Sequence, residues 1–85
     1  MTIEDYLRGY AYKALNDMVT KAKQGWYDIL PDTEQLTLIA YKAAVHGKQE
    51  YAVIHYGKDK VIPFIAGIIE DNYIEKAGEA IDYVE

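Results

Sequence analysis

The sequence predicts an all-α fold, a small bundle of about four helices, and three observations lead to it. Two segments carry apolar residues at helical spacing beneath helix-start signals. A longer third segment carries the widest apolar face, and glycines punctuate the joints between segments. With 85 residues, 51% of them hydrophobic, there is enough apolar surface for one core and one domain over residues 1–85, and not for two.

The first helix is predicted over residues 3–24. Ile3, Leu7, Tyr10, Ala14 and Met18 recur at helical spacing, and Tyr6, Ala11, Leu15 and Ala22 widen the stripe. Thr2 with Asp5 resembles a capping box, Lys21 and Lys23 suit the last turn, and Gly25 is a stop. Pro31 disfavours helical geometry at Leu30, so "GWYDILPD" reads as a loop. Asp32 then caps a second helix over 33–46, with Gln35 as its reciprocal partner. Its buried stripe is Leu36, Ile39, Ala40 and Ala43, and Gly47 suits a left-handed position just past its end.

Residues 50–66 admit two readings. Val53, Ile54, Val61, Ile62 and Ile65 favour strands, which gives an α+β alternative with a hairpin. Pro63 would remove a ladder donor, and the two strands of that hairpin would not alternate cleanly. The helical reading has a short third helix over 49–56 ended by Gly57, then a fourth over 60–84. Asp59 would cap that helix and its first turn would hold Pro63. At 100° per residue, Ile62, Ile65, Ile69, Tyr73, Ala77, Ala80, Ile81 and Val84 share one broad face of it. Gly67 and Gly78 weaken it, and a break near Gly67 would divide it.

The chemistry available is narrow. With no cysteine there is no disulfide, thiolate zinc site or Cys nucleophile, and with no serine there is no Ser–His–Asp triad. His46 and His55 precede helix-ending glycines, where a polar residue suits the helix terminus. Their spacing matches no HExxH-type motif, so neither a metal nor a cofactor is expected. There is no phosphate-binding glycine loop, and Arg8 is the single arginine. A non-enzymatic protein is therefore the expectation. The acids near the N-terminus do not suit a signal peptide, and no apolar run approaches a membrane span, so a cytoplasmic location is expected.

Charge is unevenly placed. Residues 1–60 carry eight basic and eight acidic side chains, whereas residues 61–85 carry Lys76 against six acids; the net charge of −5 lies in that last part. Direct nucleic-acid binding needs the opposite sign. Asp71, Glu75, Glu79, Asp82 and Glu85 fall on the side of the last helix away from its apolar face. Carboxylates at a helix C-terminus oppose the macrodipole, by ~0.3–1 kcal/mol each when exposed, so folding does not ask for them. Trp26 and Tyr27 on the loop after the first helix are candidate aromatic anchors.

These features point to a small acidic module that binds a protein with a basic surface. Where that surface normally holds nucleic acid, the module is an inhibitor by charge mimicry, as a phage or mobile-element accessory protein would be. Two alternatives belong to other classes. One is a homo-oligomer that binds a nucleotide by Tyr stacking, with Arg8 or a lysine on the phosphate. The other is a structural assembly protein whose apolar stripes are too wide for a monomer.

Overall fold

A computed structural model describes residues 2–25, 30–47 and 50–84, with side chains described throughout except at 50–52 and 82–84. Four helices run in order: α1 (Ile3–Lys23), α2 (Thr33–Val45), α3 (Glu50–Tyr56) and α4 (Lys58–Val84). There is no strand among the described residues, so residues 50–66 hold helix and not a hairpin.

The predicted start signals act as expected in α1 and α2. Thr2 Oγ1 accepts from the Asp5 N–H at 3.1 Å. Separately, the Thr2 hydroxyl, the Thr2 backbone N–H and Arg8 act on the Asp5 carboxylate itself and hold it below its ordinary value. Asp32 and Gln35 form a reciprocal capping box: the Gln35 N–H donates to Asp32 Oδ1 at 2.7 Å, and the Asp32 N–H donates to Gln35 Oε1 at 2.9 Å. Gly25, at φ 73°, ends α1 in a left-handed conformation that suits glycine.

Gly57, at φ 98°, serves two helices at once. Its N–H donates to the Val53 carbonyl and closes α3, while its carbonyl accepts from the Lys60 and Val61 N–H groups and opens α4. The expected cap, Asp59, therefore lies inside the first turn, and Pro63 falls in the second turn. Pro63 has no N–H to give the Asp59 carbonyl, yet the helix continues past it. No break occurs at Gly67 either; α4 runs unbroken through both of its interior glycines.

The core is built along α1 and α4, which share the largest interface, with α2 closing the third side. Leu7, Leu15 and Met18 of α1, Leu36 of α2, Val53 of α3, and Val61, Ile65 and Ile69 of α4 are fully buried. Ala11, Ala14, Ala40 and Ala44 fill the narrower spaces, where small side chains let the helices approach. A second cluster of Val19, Ala22 and Ala80 ties the end of α1 to the late turns of α4. Buried Thr37 gives its hydroxyl to the Thr33 carbonyl at 2.7 Å.

Three more expectations need correction. Ile39 is 48% exposed, because Leu36, Thr37, Ala40 and Ala44 take the core side of α2 and leave it at the edge of the stripe. Ile81 is 43% exposed, with Ala80 occupying the inward position beside it. Gly47 does not have positive φ. It is small for another reason: a Cβ there would run into the hydroxyls of Tyr6 and Tyr10. Those two rings pack edge to face with centroids 5.0 Å apart, and the Tyr6 hydroxyl donates to the Ala44 carbonyl at 2.8 Å.

The molecule measures 42 × 22 × 20 Å. A helix the length of α4 spans ~40 Å, so α4 sets the long axis. The radius of gyration, 13.1 Å, exceeds the ~12 Å of an average compact chain of this length, as an elongated bundle requires.

Candidate protein-docking face

The position of the acidic residues follows from what α4 buries. Val61, Ile65 and Ile69 succeed one another at i, i+4 against the core. Tyr73 continues that row and is held by its hydroxyl, which donates to the Pro31 carbonyl at 2.6 Å. Burial, then the negative charge of Asp32, pushes the Tyr73 hydroxyl above its ordinary pKa. With the inner side thus fixed, Asp71, Glu75 and Glu79 are exposed on the outer side, as expected. Successive carboxylates four residues apart are spaced ~6 Å along the axis.

Glu79 pairs with Lys76 at 3.3 Å. Asp71 and Glu75 have no ion-pair partner among the described residues. Asp82 lies within α4, but its side chain, together with Glu85, Trp26 and Tyr27, is outside the described residues. The aromatic anchor proposed for the loop after α1 is therefore not located.

Charge runs against the dipole at both ends of α4. The first turn holds Lys58 and Lys60 beside Asp59, and the last turn has no basic residue. In α1 and α2 the arrangement is the favourable one, with acids first and Lys21, Lys23 and Lys42 last.

One residue of this face went unnoticed in the sequence. Ile74 is 85% exposed, the most exposed of the large apolar side chains described. On the helical wheel it falls between Glu70 on one side and Asp71 and Glu75 on the other, with Gly67, Gly78 and Ile81 close to its own direction. A single isoleucine among acids carries little signal in a sequence, because isolated apolar residues on a surface are ordinary. Beyond Glu70 a groove of about 420 Å³ opens between α2 and α4, over Leu38, Ile62 and Ala66, with Glu34 and Glu70 at its edges.

The residues considered for other chemistry are dispersed or engaged. His46 caps the C-terminus of α2 and His55 lies in the last turn of α3, both exposed. No group of three or more His, Cys, Asp or Glu side chains that could hold a metal ion occurs among the described residues. Arg8 is paired with Asp5 at 2.9 Å and lies 5.9 Å from the Phe64 ring centroid. No described helix is long and apolar enough to cross a membrane. No protein-family model matches the chain, and neither a curated protein nor a solved structure shows significant similarity to it.

Proposed function

We propose that this chain is a small, non-enzymatic protein-binding module, and that the acidic outer side of α4 docks on a basic surface of a partner protein. The observation that carries this reading is the exposed series Asp71, Glu75 and Glu79, placed along a helix whose inner side is committed to the core. Asp71 and Glu75 are not neutralised by any described cation. Both lie mid-helix, beyond the end turns where a charge acts on the helix dipole, so α4 does not call for acids there. Such a row steers onto a basic surface and can occupy one that otherwise holds phosphates, which makes the module an inhibitor where the partner binds nucleic acid. Residues beyond the described ones, Asp82, Glu85, Trp26 and Tyr27, remain part of the proposed surface.

The nucleotide-binding alternative is less well supported. Of the two cations it could use, Arg8 or a lysine, the Arg8 guanidinium already serves Asp5 and Phe64. The Tyr6 and Tyr10 rings pack edge to face against each other.

The test is comparative capture from the source cell, with the partner identified by mass spectrometry and its affinity then titrated against salt. The wild-type chain should retain a protein that the Asp71→Asn, Glu75→Gln, Glu79→Gln, Asp82→Asn variant releases, with its circular dichroism unchanged. Equal retention by the folded variant would end this reading.

A further inference from the structure

Resting on the reading just given, the geometry points to a definite partner chemistry: a basic amphipathic helix laid along the outer side of α4. Its apolar stripe would seat on Ile74 and against Gly67 and Gly78, and its Lys or Arg side chains would reach Glu70, Asp71 and Glu75.

Three observations carry the inference. The first is Ile74, whose exposure gives the fold nothing while presenting a β-branched apolar side chain amid carboxylates. A surface that only imitated phosphates would have no use for it. Apolar contacts enclosed by a charged rim are the pattern of a protein interface. The second is the pair of glycines. Both are interior to α4, and a methyl group at either would meet no described atom within 4 Å. Packing within this chain therefore does not require glycine at these positions, although each weakens the helix relative to alanine. Bare backbone on a helix surface lets another helix approach closely. The third is period. Gly67, Ile74, Gly78 and Ile81 recur at helical spacing over ~21 Å, a line that a straight helix can follow for about four turns.

Charge selects the occupant. A second copy of α4 would set its own carboxylates against Glu70, Asp71 and Glu75, and nucleic acid is repelled in the same way. A helix with lysine or arginine flanking its apolar stripe satisfies both the rim and Ile74.

The probe is a synthetic Lys/Leu peptide of about five turns with its leucines at helical period, titrated against a scrambled peptide of the same composition. The patterned peptide should bind at least ~10-fold more tightly than the scrambled one. Ile74→Ser should weaken it ~10-fold with the melting temperature unchanged, since the side chain is exposed. Gly67→Ala with Gly78→Ala should raise the melting temperature, by roughly 4–8 °C for each glycine, and still weaken binding. Gly9→Ala is the control: it is an exposed interior glycine of α1 with equally open space, so it should raise stability and leave binding alone.

The inference is overturned if the patterned peptide does not bind or binds no better than the scrambled one. It is also overturned if Ile74→Ser or the double glycine variant binds as the parent does. If both peptides bind equally and both are lost on neutralising Asp71, Glu75 and Glu79, the helix partner is wrong and the acidic face stands. If the patterned peptide binds and neutralisation changes nothing, the acidic face itself is wrong.

Discussion

Tyr73 fixes α4 to the segment before α2 through its hydroxyl, and Gly47 leaves room for the Tyr6 hydroxyl that fixes α1 to α2. The Tyr73 hydroxyl donates to the Pro31 carbonyl and so ties α4 to the segment leading into α2. Its neutral form is the one the fold prefers, because burial and Asp32 both oppose the phenolate. A raised folded-state pKa means that this contribution is complete below the unfolded value of about 10 and is lost as pH rises through the higher folded value. Tyr73→Phe should cost ~1 kcal/mol at neutral pH. In urea titrations above pH 10, it should lose stability less steeply than the parent. At Gly47, a methyl group would displace the Tyr6 hydroxyl from Ala44, so Gly47→Ala should cost about 1–2 kcal/mol. In a Tyr6→Phe background part of that cost is already removed, and a double-mutant cycle should report positive coupling.

Among the elements, α4 departs most from local preference. It contains Pro63 in its second turn and two interior glycines, yet it runs unbroken. The reason lies in what it buries: Val61, Ile65 and Ile69 are each at 0% exposure, and burying one such side chain yields roughly 1.5–3 kcal/mol. This outweighs a glycine cost of ~1 kcal/mol. Because the Pro63 ring is exposed, Pro63→Ala should restore a donor for the Asp59 carbonyl without losing packing. We expect a gain of about 1–3 kcal/mol, read as a rise in melting temperature. Much of this was legible in the sequence: the caps of α1 and α2 and the glycines at the joints set all four helices to within about two residues, although Asp59, expected as the cap of α4, lies inside its first turn. Local propensity alone admits a break at Gly67, and the burial on either side removes it, so the single helix expected over 60–84 holds. The role of Gly47 was hidden because its neighbours, Tyr6 and Tyr10, lie some forty residues earlier in the chain. Ile39 and Ile81 were assigned inward because a wheel gives direction but not how far the neighbouring helices reach around it.

Across the whole molecule, the excess negative charge and the longest helix coincide. α4 spans the long axis, its inner side completes the core, and its outer side carries the exposed acids around Ile74. The acidic series was readable from composition and period alone, whereas Ile74 acquired meaning only once its exposure was known. Charge on such a face acts through space, so association should be fast at low ionic strength and slow as salt approaches ~0.15 M. Neutralising it should leave the fold intact, since folding does not depend on Asp71 or Glu75 for any described ion pair. The measurement that bears most directly on this account is the dissociation constant of the captured partner as a function of salt, for the parent and for Asp71→Asn, Glu75→Gln, Glu79→Gln. The account predicts an affinity that falls with salt in the parent, and one at least ~10-fold weaker and nearly salt-independent in the variant. Equal affinities with equal salt dependence would contradict it.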